Sequence, residues 1–458
     1  MIIDFVKFAE SLSVAMDYAV KAYLDVNPNH GKRVAVLVNK MAKHLNFTDD
    51  IITAVTIAAW LHDIAVSEYL TDELPDTGLE NAEKDMAPHC EVGEKILKKL
   101  PFYHKIEGAL LYHHDRADGN GAMGVKTAET PIYAQLIHIA DVVDVTFNLY
   151  SFDKDKYNKI CNWLPENAGT LFSEECAEVF MQSIGYKTLE AIAGDKCKLL
   201  MSELIPVKEY DISTESLIEM CSIFSDMTDY KSHFTWKHSL GIANKAFDMG
   251  KYYGLPKEEC EKLYIAGELH DIGKLLISDK ILEKPQKLTS EEFAEVKNHA
   301  MGTWNMLCNI SGMEEISKWA ALHHEKLDGS GYPFGYTAEK LDKNSRLLAC
   351  LDIYQALVEN RPYKPGLSHY DSMEILRKMA NAGQIDASIV EDINSCFKDR
   401  EDPNKNINRA NMQEYVKTTD MPAYKCPVCG YVHEGEIPDG FICPFCEQAG
   451  SIFEKVED

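Results

Sequence analysis

A chain of 458 residues and 51.7 kDa is too long for one ordinary domain core, and at about 100 to 200 residues per domain two to four are expected. With 45% hydrophobic and 26% charged residues it is neither disordered nor membrane-like, and its longest apolar run, Ile51 to Leu61, is too short to cross a bilayer. The 73 acidic and 47 basic residues leave a formal charge of −26, which opposes binding to a nucleic-acid polymer.

The N-terminal stretch MIIDFVKFAE has no basic segment followed by an apolar one, so nothing directs secretion and the expected compartment is the cytoplasm. Next, Val34, Leu37, Val38, Met41 and Leu45 recur with helical period, as Leu263, Ala266 and Leu269 do later, while strand signals are scarce. The histidines reveal an internal repeat: His30 to His62 and His238 to His270 are both 32 positions apart, and His89 to His113 and His299 to His323 are both 24 apart. The surrounding text repeats as well, with LHDIA beside LHDIG and HHDRADGNG beside HHEKLDGSG. The expected fold is therefore mainly α, with two tandem helical domains, residues 1–208 and 209–400, followed by a polar linker over 401–422 and a small module over 423–458.

A lone histidine is ordinarily satisfied by a hydrogen bond. A set of five His and two Asp per copy at matched intervals instead favours a metal cluster, because imidazole and carboxylate together suit Fe, Mn, Zn or Ni. The first set is His30, His62, Asp63, His89, His113, His114 and Asp141; the second is His238, His270, Asp271, His299, His323, His324 and Asp352. His44, His104, His138, His233, His369 and His433 stand outside both sets. In the C-terminal module, Cys426, Cys429, Cys443 and Cys446 form two CxxC pairs, which in a reducing compartment read as one tetrahedral metal site.

The run His270-Asp271-Ile272-Gly273-Lys274, followed by His323-His324-Glu325, Asp328-Gly329 and Gly331-Tyr332-Pro333, resembles the HD-GYP subgroup of HD-superfamily phosphohydrolases. The resemblance implies a helical domain whose metal centre hydrolyses cyclic dinucleotides, typically cyclic di-GMP. It implies one metal on His238, His270, Asp271 and Asp352, and a second on His299, His323 and His324 with Asp271 as the bridge. Fe is expected, with Mn as the alternative. Lys274, about one turn past the bridge, would reach a non-bridging phosphate oxygen, and Arg361 and Lys364 resemble the segment that contacts the substrate. Phe234 stands where members with a third metal carry Glu, so two metals are expected.

The first copy keeps its ligand set, and a metal pair is expected there too. It lacks the cationic groups: Val66 replaces Lys274, Tyr150 and Asp153 replace Arg361 and Lys364, and Ala122-Met123 replace Tyr332-Pro333. It should therefore bind a dianion weakly. The text from Cys426 to Gly435 with Cys443-Pro-Phe-Cys446 resembles the rubredoxin-type module of rubrerythrins, implying one Fe, or alternatively Zn, on four thiolates. The leading reading is a cyclic-dinucleotide phosphodiesterase gated by that redox module. A di-iron redox or oxygen sensor and a di-iron oxygenase stand as alternatives, and the reading allows a redox partner and a homodimer.

Overall fold

The structure, a computed structural model, describes residues 1–11, 13, 27–65, 86–100, 102–197, 204–205, 209–231, 238–282, 284, 286–360 and 365–398, together with 423–425, 427, 432–434, 449 and 454–455. Its contacts divide the chain into two compact units, Met1–Ile407 and Asn408–Asp458. Among the described residues no helix is long and apolar enough to cross a membrane.

Both repeats lie in the first unit and are built from helices. The first repeat runs through α1 (His30–His44), α2 (Asp49–Trp60), α3 (Ala87–Leu97), α4 (Ile132–Phe147), α5 (Lys154–Asn167), α6 (Glu174–Ser183) and α7 (Tyr186–Ile192). The second runs through α8 (Thr214–Lys231), α9 (His238–Tyr252), α10 (Lys257–Leu269), α11 (Ser290–Leu307), α12 (Glu314–Ala321), α13 (Lys343–Val358), α14 (His369–Asn381) and α15 (Ala387–Phe397). The periodic residues Val34, Leu37, Val38 and Met41 are buried on α1, and Leu263, Ala266 and Leu269 on α10. Each large aliphatic side chain removed from water contributes about 1.5–3 kcal/mol, so these stripes set which face of each helix turns inward.

Local sequence fixes the helix ends that carry the site. Thr289 and Glu292 form a capping box at the start of α11: the Thr289 hydroxyl accepts from the Glu292 N–H at 3.2 Å, and the Glu292 carboxylate accepts from the Thr289 N–H at 2.8 Å. Asp342 caps α13 by accepting from the Ser345 N–H at 2.8 Å. Through these two helices run His299 and Asp352.

One small sheet accompanies the mainly α architecture. Strand β1 (Ile2–Asp4) pairs antiparallel with β2 (Glu209–Asp211), in the register Ile2 to Asp211, so the first residues of the chain bind the junction between the repeats. The Asp4 N–H also donates to the Ser311 carbonyl of the second repeat at 3.0 Å. Beside it Gly312, at φ 86°, approaches so closely that a Cβ would stand 2.1 Å from the Ile2 carbonyl oxygen, a place only glycine fills. Phe5, Phe102 and Tyr210 pack edge-to-face behind the strands, and Lys99 pairs with Glu219 across the repeats at 2.5 Å. Short alternating segments of three residues leave too weak a periodic signal to be read as strands.

In the second unit, β3 (Ala423–Lys425) lies between β4 (Val432–Glu434) and β5 (Glu454–Lys455), antiparallel to both. The linker expected over 401–422 and the four cysteines lie outside the described residues.

Candidate metal centres

In the second repeat the ligand candidates come from five places in the bundle. His238 opens α9, His270 and Asp271 end α10, His299 sits inside α11, His323 and His324 follow α12, and Asp352 sits inside α13. Six of the seven are buried; His324 keeps 29% of its side chain exposed. Two triads form, His238-His270-Asp352 and His299-His323-His324, with ligand atoms within 4.8 Å of one another, and His270-Asp271-His323 make a third group between them. Asp271 has the geometry of a bridge: Oδ2 is 3.2 Å from His270 Nε2, while Oδ1 is 3.3 Å from His299 Nε2 and 3.8 Å from His323 Nε2. A carboxylate can do this because it has two oxygens to share.

The backbone sets the ring orientations. His270, His299 and His323 each donate Nδ1–H to the carbonyl three residues back, on Gly267, Val296 and Ala320, at 2.8, 2.6 and 2.6 Å. That assignment leaves every Nε2 as a lone pair aimed inward. Burial, with neighbouring imidazoles, pushes His299 down to about 4 and His323 well below its ordinary value, so both stay neutral, as ligands must. His270 Nε2 and Asp271 Oδ1 are buried with no hydrogen-bond partner. Unsatisfied atoms of that kind are costly without a cation between them, so the residues present fit a metal pair.

His238 differs. Its Nδ1–H donates to Glu359 at 2.8 Å while Nε2 lies 3.2 Å from Asp352. Burial opposes its charged form, but these two carboxylates prevail and hold its pKa up to about 10. A metal binding there must displace that proton.

Lys274 lies in the short 3-10 turn Ile272–Leu276, with its ammonium 2.5 Å from Asp271 Oδ2. Its expected reach to a phosphate oxygen starts, in the structure, from a seat on the Asp271 carboxylate. Burial would raise the Asp271 carboxyl, but Lys274 and the surrounding histidines hold it well below the usual range. Arg361, Lys364, Phe234 and Val66 lie outside the described residues, as do Cys426, Cys429, Cys443 and Cys446.

The first repeat assembles the same cluster. His30-His62-Asp63 and His89-His113-His114 form the two groups, and Asp141 reaches His30 Nε2 at 3.2 Å and His114 Nδ1 at 4.0 Å. Asp63 spans the groups, with Oδ2 3.3 Å from His62 Nε2 and Oδ1 3.8 Å from His89 Nε2. His62 and His113 donate Nδ1–H to Ala59 and Leu110 at 2.8 and 2.6 Å, and His114 Nε2 is buried without a partner. Burial, reinforced for His89 by His113, lowers both His89 and His114 to about 3. Tyr150 lies under the Arg33 guanidinium, and Asp153 caps α5.

Several residues of the sites have roles that sequence reasoning did not assign. Glu325, buried, accepts the N–H groups of Phe334, Gly335 and Tyr336 at 2.7, 3.0 and 3.0 Å and so folds the Gly-Tyr-Pro loop back over the centre. Asp115 does the same for Met123 at 3.0 Å. The signal was an acidic residue straight after each His-His pair. Glu359 and its functional counterpart Asp144, which accepts from His30 Nδ1 at 2.7 Å, had no such signal because they fall at different distances past Asp352 and Asp141. Asp144 is gripped by fully buried Arg33 through two bonds of 2.6 and 2.8 Å, whereas Gly241 and Gln355 hold those places in the second repeat.

A family model for the HD domain matches residues 19–161 and 222–389, together more than half of the chain. The chain belongs to the HD-domain family, and residues 424–454 match a rubrerythrin, rubredoxin-like domain. Among curated proteins it is 29% identical over 377 residues to the 3'3'-cGAMP-specific phosphodiesterase 1 of Vibrio cholerae, covering 79% of this chain and 85% of that one. It is 30% identical over 171 residues to a cyclic di-GMP phosphodiesterase of Thermotoga maritima, covering 37% and 46%. The crystal structure of a V. cholerae cyclic GMP-AMP-specific phosphodiesterase, V-cGAP3, superposes with a TM-score of 0.57 at 19% identity, over 85% of this chain and 97% of that one, and so shares the fold.

Proposed function

We propose that this HD-domain protein is a metal-dependent phosphodiesterase whose second repeat, residues 209–400, opens a cyclic purine dinucleotide. The observation that carries the reading is the conjunction of seven converged ligand candidates with Lys274 on the bridging carboxylate. A sensor has no use for that cation, nor has an oxygenase acting on an uncharged substrate. When bound, a metal pair supplies Lewis acidity that activates the attacking water and offsets charge on the phosphoryl oxygens. His238, His270, Asp271 and Asp352 would hold one ion; His299, His323 and His324, sharing Asp271, would hold the other. Glu359 orients His238, and the i−3 carbonyls orient His270, His299 and His323, so these rings are set before substrate arrives. Lys274 stands where phosphoryl charge develops and donates to it.

Cyclic di-GMP is the first substrate to test. A second reading, 3'3'-cGAMP, is favoured because the relative matched over both repeats carries that specificity in its name. His30, His62, Asp63, His89, His113, His114 and Asp141 of the first repeat, residues 1–208, would hold a second metal pair, and Cys426, Cys429, Cys443 and Cys446 would hold an Fe that, when bound, supplies one-electron chemistry; with an external redox partner as electron donor or acceptor, that module would set the oxidation state of iron held by the repeats and thereby gate hydrolysis. The deciding experiment compares turnover of both dinucleotides by anaerobically purified full-length protein with its metal content. Cleavage of one or both at two metals per repeat is expected; no cleavage of either would refute the reading.

A further inference from the structure

The mouth of the second centre carries a cation outside the ligand grid. Lys297 lies on α11 two residues before His299, and its ammonium stands 5.3 Å from the centroid of the Tyr332 ring and 4.9 Å from that of Phe293. Tyr332 in turn lies 4.8 Å from the His324 ring and 6.3 Å from His299, centroid to centroid. A chain of contacts thus runs from the ligand histidines through one tyrosine to this lysine. Lys297 is partly exposed and forms no ion pair with a described residue, in a protein with 73 acidic side chains. Its position is set by ring faces, which attract an ammonium without consuming its N–H donors.

The first repeat lacks the whole device. Counting from His89, the place of Lys297 is taken by Ala87, and the place of Tyr332 by Ala122. The lysine and its aromatic support are therefore paired with Lys274, and all three are missing from the copy that has the ligands alone.

A cyclic dinucleotide carries two phosphodiesters on one ring. On the function proposed above, the diester being cleaved would lie at the candidate ligands beside Lys274, and the other, carried across the ring, would lie on the side where His324 is exposed and Tyr332 packs. Resting on the function proposed above, we infer that Lys297 binds this second, unreacting phosphodiester, with Tyr332 and Phe293 fixing its ammonium. It is a substrate-binding residue and takes no part in bond breaking.

The test uses full-length, metal-loaded protein with Lys297→Met, which keeps an unbranched side chain over the rings, and Lys297→Arg, which keeps the charge. The substrates are the cyclic dinucleotide that the unaltered protein cleaves and bis(p-nitrophenyl) phosphate, which has a single diester. Lys297→Met should raise KM for the cyclic dinucleotide by about ten- to a hundredfold, the range for a lost charge-assisted hydrogen bond. Its kcat should change by less than about threefold, and KM for the single diester should move far less than that for the dinucleotide. Lys297→Arg should restore most of the affinity, and metal content should match the unaltered protein. An unchanged dinucleotide KM, or equal rises for both substrates, would overturn the inference while leaving the phosphodiesterase reading intact. Failure of the unaltered protein to cleave any cyclic dinucleotide would overturn that reading and this inference with it.

Discussion

Gly273, the residue after Ile272 in the His-Asp turn, offers a direct test of how the second centre is held together. An added Cβ would stand 1.9 Å from the His299 carbonyl oxygen and 2.6 Å from the Thr303 N–H nitrogen, whereas ordinary contact begins at 3.4 Å. Both obstacles are backbone in α11, so no rotamer change relieves them. Gly273→Ala must therefore push the turn that carries His270 and Asp271 about 1.5 Å from the helix that carries His299. It also strains two hydrogen bonds, Gly273 N–H to Thr303 Oγ1 at 3.1 Å and Thr303 O–H to the His270 carbonyl at 2.9 Å. Overpacking of this kind costs about 1–3 kcal/mol of stability, and an ångström of misplacement at a reacting centre costs about 100-fold in rate. The assay is turnover of the cyclic dinucleotide, with metal content and thermal midpoint on the same preparation. We expect kcat/KM to fall about 100-fold or more, with metal lost from one repeat. Gly185→Ala, where nothing lies within 4 Å, serves as the control and should be neutral. The first repeat has Ala65 in the place of Gly273 and Gly93 in the place of Thr303, so Ala65→Gly should leave turnover within about twofold. Activity and metal content of Gly273→Ala close to the unaltered protein would refute the argument that this contact sets the distance between the ligand groups.

Other outcomes test the proposed function. Asp271→Asn should abolish turnover, whereas His30→Ala in the first repeat should leave substantial activity; equal losses would contradict a single catalytic centre. Lys274→Ala should depress kcat by about 100-fold, by analogy with loss of an oxyanion donor, and a change confined to KM would reassign it to binding. Chelation should stop turnover and added Fe or Mn should restore it, as measured by activity before and after dialysis. Cys426→Ser with Cys429→Ser should remove the difference in turnover between reduced and air-oxidised protein; identical rates in all four preparations would eliminate the redox role.

Much of this protein was legible in one dimension because its chemistry is written twice. The matched intervals from His30 to Asp141 and from His238 to Asp352 singled out two sets of candidate ligands, which the structure brings together, and helical periodicity around Val34 and Leu263 placed them on a bundle. The sequence could do so because a ligand's identity and its face on a helix are local properties, fixed by residue type and a period of 3.6. Only the tertiary structure decided what stands behind each ligand: Glu359 behind His238, Asp144 with Arg33 behind His30, and Glu325 under the Gly-Tyr-Pro loop. It also decided that Lys274 rests on Asp271, that Lys297 lies over Tyr332, and that the first strand binds the junction between repeats. These pairings join residues from different elements, and their partners are chosen by how close two backbones come once the apolar faces have packed. Spacing along the chain carries no record of that distance.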